Sequence, residues 1–268
     1  MILGISSYSF TWAVGVPGHI PQSPLTELEV LGKAKELGVK LVQIADNMPL
    51  HLMNGGRIER LISESAAAGI ELEVGSNRMT SERLEQYITI AGNLNSKILR
   101  FVVDGEGYTP PVDEIVSIIK NAEPELRKRK IILALENHDR LLSREFAWII
   151  SKINSSYVGI CLDCANSLGA GEGFREVVTM LAPFAVNFHL KEVSIKRKFH
   201  KMGFDVEGKP FGEGALPLEW MLEQLTDQCK TAILEQWTPP EENLAGTIEK
   251  ENDWAVRSIA HLRQFIKE

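Results

Sequence analysis

Apolar and polar positions along the chain alternate between two rhythms. Short runs rich in β-branched residues occur at Ile2–Ser7, Lys40–Ala45, Ile70–Gly75, Lys97–Val103, Ile131–Glu136, Val158–Asp163, Ala185–His189 and Thr231–Glu235. Runs of this length bounded by turn residues predict buried strands. Between them the apolar residues recur at helical spacing. Leu28, Leu31 and Ala34 share one face of Leu25–Leu37, which stops at Gly38, and Arg57–Ala68 stops in the same way at Gly69. Glycine takes the left-handed conformation that closes a last turn. Thr80 or Ser81 can cap Glu82–Leu94, Ser143 can cap a helix running to Ile153, and Pro217 suits the first turn of Leu218–Cys229. A final helix is predicted from about Ile248 to Ile266.

Strand and helix alternate eight times, so each helix can serve as a right-handed crossover between parallel strands. Eight such units in 268 residues predict an α/β protein, a (β/α)8 TIM barrel forming a single domain over residues 1–268. An open sheet of eight parallel strands is the structural rival.

Composition narrows the function classes. No apolar run approaches the ~20 residues of a membrane span, and MILGISSYSF lacks the basic and small-residue features of a secretory signal. Cys161, Cys164 and Cys229 are too few and scattered for a disulfide framework, and Cys161 and Cys164 bracket Asp163 within an apolar strand. A cytoplasmic protein is expected. Net charge is −7 with acids and bases interspersed, whereas a nucleic-acid binder gathers a basic stripe. Neither nucleic acid nor membrane is an expected partner.

Catalytic groups of such barrels come from the C-terminal ends of strands. Four consecutive strands end alike: Glu136 closes IILALE, Asp163 closes VGICLD, His189 lies near the end of AVNFHLKE, and Glu235 closes TAILE. Each arrives at the rim of a packed interior, where an unpaired carboxylate costs several kcal/mol. Three carboxylates meeting at one mouth repel unless a cation neutralises them. One divalent ion bound by Glu136, Asp163, His189 and Glu235 resolves that cost. Oxygen and imidazole donors suit Mn2+, Co2+, Mg2+ or Zn2+.

Other residues cluster near these ends. Alternation places His138 beside Glu136, either facing substrate or supporting the glutamate, and places Asn187 and Lys191 beside His189. Lys191 could meet an anionic group or pair with Glu192 or another rim acid. Arg100 lies inside a strand, where it must be paired, with Glu73 as the expected partner. Trp12, Phe10 and Trp237 are candidate pocket walls. Ser194–Phe211 reads as a long loop, and Arg197 and His200 could fold over substrate as a lid or face a partner subunit.

These residues resemble the sugar phosphate isomerase/epimerase superfamily of xylose-isomerase-like TIM barrels. The resemblance spans nearly the whole chain, from GISSYSF to the last helix. Its anchors are Glu136, Asp163, His189 and Glu235 in the order and spacing of the family's single-metal site, with Phe211-Gly212-Glu213-Gly214 and Pro217 as a glycine-rich turn. It implies that Glu136 and Glu235 are a catalytic acid/base pair as well as metal ligands. The expected activity is isomerisation or epimerisation of a small sugar through a metal-stabilised enediolate.

Two positions depart from the family's keto-sugar epimerases. Asn166 stands where they carry a histidine, and Ile195 where they carry an arginine, with Arg197 two residues on. The ENHDR, MGF and LEQWTPP segments resemble instead a subgroup of decarboxylases acting on 3-oxo sugar acids such as 3-oxo-isoapionate. A carboxy-lyase of sugar-acid breakdown is thus the alternative, and Lys191, Arg197 and His200 would fit an anionic carbohydrate substrate, with Asn166 and Trp237 also expected to contact it. A DNA repair endonuclease of the same fold needs three zinc ions and many histidines, which six histidines and an acidic balance do not favour. A homo-oligomer is compatible with the pattern.

Overall fold

The structure is a computed structural model and describes residues 1–267. Among them are ten strands: β1 (Ile2–Ser6), β2 (Leu41–Ile44), β3 (Glu71–Ser76), β4 (Ile98–Phe101), β5 (Ile132–Glu136), β6 (Val158–Asp163), β7 (Ala185–Leu190), β8 (Glu192–Arg197), β9 (Phe204–Lys209) and β10 (Thr231–Leu234). Eight close into a parallel barrel in the order β1-β10-β7-β6-β5-β4-β3-β2. The closed barrel, rather than an open sheet, is therefore the architecture.

The helices are α1 (Thr11–Val14), α2 (Glu27–Leu37), α3 (Gly55–Ala68), α4 (Ser81–Asn93), α5 (Val112–Arg129), α6 (Ser143–Ile153), α7 (Phe174–Leu181), α8 (Leu218–Gln224) and α9 (Leu244–Leu262). Their apolar stripes pack on the outward faces of the strands, where Leu3, Ile5, Val42, Phe101, Leu135 and Phe188 are buried. Each such side chain contributes about 1.5–3 kcal/mol. Inside the barrel a smaller apolar cluster, Ile98, Ala134, Cys161 and Val186, lies beneath the strand ends.

Gly38 and Gly69 end α2 and α3 at φ 68° and 63°, the left-handed closure that their positions predict. Thr80 caps α4, accepting from the Arg83 amide at 3.1 Å. Three expectations need correction. Ser143 does not cap α6: it lies in the first turn, where its amide and hydroxyl both donate to Glu172 at 2.7 Å. Helix α8 stops at Gln224 rather than Cys229, because Leu225 is extended and the chain turns through Thr226 to Cys229. Ser194–Phe211 is not an irregular loop, since β8 and β9 pair antiparallel from Glu192↔Lys209 to Arg197↔Phe204.

Candidate metal centre

Glu136 and Asp163 are the last residues of β5 and β6, His189 lies one residue before the end of β7, and Glu235 follows β10. Asp163 pairs with His189, Glu136 pairs with Cys161 two residues before Asp163, and Glu235 lies two residues beyond Ile233, the partner of His189, so the stagger of the strands around the barrel brings the four to one mouth. Asn137 fastens the ends of β5 and β6 together. Its amide oxygen accepts from the Asp163 amide (2.8 Å) and its nitrogen donates to the Asp163 carbonyl (2.9 Å). The amides of Ala165 and Asn166 occupy Asp163 Oδ1 at 2.8 and 2.7 Å, which turns Oδ2 inward.

All four side chains are buried, and one donor atom from each lies within 4.8 Å of the others. His189 Nδ1 is 3.5 Å from both Glu136 Oε2 and Glu235 Oε2, and 3.9 Å from Asp163 Oδ2. The opposite ring nitrogen, Nε2, meets Gln43 Oε1 at 2.9 Å. The Gln43 amide nitrogen is committed to Glu73 (3.0 Å), so its oxygen faces the imidazole and Nε2 must donate. Nδ1 then faces the three carboxylates; burial pulls the ring down, but Cys161, Glu235 and Glu136 outweigh it and hold His189 well above its ordinary value, so a bound metal would take the place of the proton on Nδ1. Buried His189 Nδ1 and Glu235 Oε1 have no hydrogen-bond partner among the described residues. Orphaned buried polar atoms of this kind are costly, and a divalent cation would satisfy them together. The donor set fits Mn2+, Co2+, Mg2+ or Zn2+.

Two fixed cations flank the donors. Buried Arg100 bridges Glu136 and Asp46. Lys191 Nζ lies 2.8 Å from Asp163 Oδ2 and 2.9 Å from Glu235 Oε2, and donates to Asn166 Oδ1 at 3.1 Å. Four carboxylates, Asp46, Glu136, Asp163 and Glu235, thus face two cationic side chains; with the His189 proton displaced, the two negative charges left over would match one divalent ion. Burial pushes the Glu136 carboxyl up, but Arg100 and His189 outweigh it and hold the group well below the usual carboxylate range. Glu235 is held down in the same way, burial being outweighed by His189 and Lys191. Burial pulls Lys191 down, yet Asp163, Glu235 and Glu136 keep it an ammonium.

Glu136 and Glu235 lie on the floor of a cavity of about 780 Å3 at the C-terminal mouth, whose wall includes His138, Asn166, Lys191, Trp12 and Trp237. That volume is in the range of small-molecule sites. Asn166 donates to Glu136 Oε1 at 2.7 Å, so it positions the glutamate as well as lining the cavity. Arg197 and His200 are not brought to the site. The β8–β9 ladder carries them to an exposed hairpin tip, where Arg197 donates to the Lys201 carbonyl and lies over Phe204. Phe10 is buried rather than lining the cavity. Arg100 pairs with Glu136 and Asp46, not Glu73, because β3–β4 register sets Gly75 beside Arg100 and leaves Glu73 a layer lower. Lys191 likewise chooses Asp163 and Glu235, since Glu192 turns away to accept from the Val193 and Leu216 amides. Asn187 faces down, donating to Glu73 and Thr231.

Sequence reasoning missed Gln43, Asp46 and Tyr8. Tyr8 donates to Asp46 Oδ2 at 3.0 Å. The signal was present: QIAD ends β2 with polar residues just as the later strands end.

Residues 31–265 match the family described as Xylose isomerase-like TIM barrel. The chain belongs to that family. A 3-oxo-isoapionate decarboxylase of Pectobacterium atrosepticum is 27% identical over 264 residues, covering 98% of this chain and 95% of that protein. Among solved structures, a Xylose isomerase-like TIM barrel protein from Mycobacterium smegmatis in complex with magnesium superposes with a TM-score of 0.71 at 15% identity, covering 97% of both chains. D-psicose 3-epimerase in the presence of D-fructose gives 0.72 at 14% identity, covering 98% of this chain and 99% of that one. The structural likenesses establish the shared fold.

Two predictions follow from this xylose-isomerase-like centre. Gln43 fixes the tautomer of His189, so Gln43→Leu should weaken divalent-metal binding by roughly 10–100-fold in a calorimetric titration. An unchanged affinity would show that the relay is idle. Burial raises the Glu73 carboxyl from the usual 4.5 to about 7, against the hydrogen bonds of Thr231, Gln43 and Asn187. A raised carboxyl binds more protons folded than unfolded, so its stabilising contribution is present below about 4.5 and lost as pH rises through about 7. Urea unfolding of metal-free protein should show a smaller loss of stability across that window in Glu73→Gln than in wild type; parallel curves would contradict the assignment.

Proposed function

We propose that this protein is a divalent-metal-dependent carboxy-lyase that removes carbon dioxide from a small 3-oxo sugar acid. The observation that carries this reading is that both glutamates of the centre lie beside fixed cations, Arg100 at Glu136 and Lys191 at Glu235. A carboxylate held ionised in this way is a poor proton donor near neutral pH, where general acid–base catalysis works best with matched pKa values. Cleavage of a β-keto acid needs no base. Its requirement is stabilisation of negative charge on the carbonyl oxygen, and the site is rich in means of supplying it.

A divalent ion held by Glu136, Asp163, His189 and Glu235 would supply Lewis-acid polarisation of the carbonyl and its neighbouring hydroxyl. Lys191 adds a second positive charge in the cavity wall. The bond between the carboxyl carbon and its neighbour breaks, its electron pair passes to the carbonyl oxygen, and carbon dioxide leaves. A proton then returns to the carbon, and half-exposed His138 in the cavity wall is placed to deliver it. Trp12 and Trp237 wall the space and limit the access of water. The decarboxylase relative, matched over almost its full length, supports the same substrate class.

Isomerisation or epimerisation is the second reading, favoured by the presence of two glutamates at one floor. One assay separates them. Metal-loaded protein incubated with 3-oxo-isoapionate in deuterated water should release carbon dioxide, and Lys191→Met should lower that rate by about 10²–10³-fold. Deuterium exchange into neutral ketoses without carbon dioxide release from the keto acid would overturn the lyase assignment in favour of the epimerase one.

A further inference from the structure

The β8–β9 hairpin leaves the barrel immediately after Lys191 and stands apart from it. Its ladder of six residue pairs extends about 20 Å at the usual rise per residue. Among the described residues, every hydrogen bond made by residues 195–207 stays within the hairpin. Directly opposed residues share a face, so Val193 and Gly208, Ile195 and Val206, and Arg197 and Phe204 form one surface. Its base is buried: Val193 is inaccessible, and Gly208 lies so close to the Trp237 carbonyl that no side chain fits there. Beyond the base the same face emerges into solvent. Ile195, Val206 and Phe204 are exposed, and at the tip Phe199 is 96% and Met202 79% exposed. A two-stranded ribbon is marginally stable on its own, and an apolar face of this kind marks an interaction surface.

Charge indicates what covers it. The tip segment 196–201 carries Lys196, Arg197, Lys198 and Lys201 on a chain of net charge −7. Only Lys198 among them forms an ion pair, with Asp205, within the described residues. From Gly212 to Asp253 the chain carries ten acidic residues against two basic ones. Glu219, Glu223, Asp227, Glu242 and Glu249 there are exposed and form no ion pair among the described residues. One chain thus holds both halves of a complementary pair, and its own ladder carries the basic half away from the barrel. A twofold dimer satisfies both halves twice, since residue i of one copy meets j of the other and the reverse.

We propose that the β8–β9 hairpin is a dimerisation arm, whose Ile195/Phe204/Val206 face and Phe199 tip pack on a second copy of this chain, the basic tip against the acidic α8–α9 side. The inference is independent of the reaction assigned above. Sedimentation or light scattering of the full chain at micromolar concentration and low salt should give twice the 29.9 kDa chain mass. The double variant Phe199→Ser, Phe204→Ser should run as a monomer with unchanged circular dichroism, as should Lys196→Glu, Lys201→Glu. High salt should weaken the wild-type dimer, because the charge contribution is screened. A wild-type monomer under these conditions would overturn the proposal and leave the hairpin as a flap of its own site or a dock for another protein. A dimer that survives both double variants would overturn it equally.

Discussion

The constraint on which this structure depends is electrostatic. Three carboxylates and an imidazole nitrogen converge on one buried point at the mouth of an apolar barrel. Water cannot screen them there, so the charge has to be balanced by neighbouring protein groups, and the donor set has the composition to take a divalent ion as well. The surrounding polar groups answer that demand: Arg100 and Lys191 from the sides, the Ala165 and Asn166 amides on the outer oxygen of Asp163, and the Gln43–Glu73 pair behind His189. The apolar shell does not choose the chemistry. It fixes strand ends rigidly enough that donors from four strands can meet within a few ångströms.

That balance also bears on the reaction. In a centre built to pass protons between two glutamates, at least one carboxyl would be tuned towards neutrality. Here a cation stands against each, and the raised carboxyl of Glu73 lies a layer below, its Oε2 accepting from the Gln43 and Asn187 amides. On the proposed lyase reading, the centre serves to stabilise negative charge on a carbonyl oxygen rather than to shuttle protons. Asn166 belongs to the same logic, linking Lys191 to Glu136 by one hydrogen bond to each, so the two sides of the floor are held as one unit.

Much of this was legible in the sequence because strand alternation and the strand-end rule are local. Glu136, Asp163, His189 and Glu235 each close a short apolar run, and period two alone sends them to a common mouth. Gln43 and Asp46 obey the same rule at β2 but look unremarkable without the neighbours that give them a task. Arg100 shows the limit of local reasoning: its need for a partner was readable, yet choosing Asp46 and Glu136 over Glu73 depends on the stagger between strands, which no single strand encodes. The hairpin was hidden for a related reason. The alternation of β8 and β9 is short, Val193 and Ile195 in one strand and Phe204 and Val206 in the other, and a basic stretch separates them, so Arg197 and His200 were expected near substrate when the ladder carries them away from it.

The central claim is that one divalent ion occupies the point where these four side chains meet. Crystals grown with manganese, measured at the manganese absorption edge, test it most directly. The account predicts a single anomalous peak bounded by Glu136, Asp163, His189 Nδ1 and Glu235, with Lys191 beside it. A peak bound elsewhere, coordination through His189 Nε2, or an empty centre at saturating metal would contradict it.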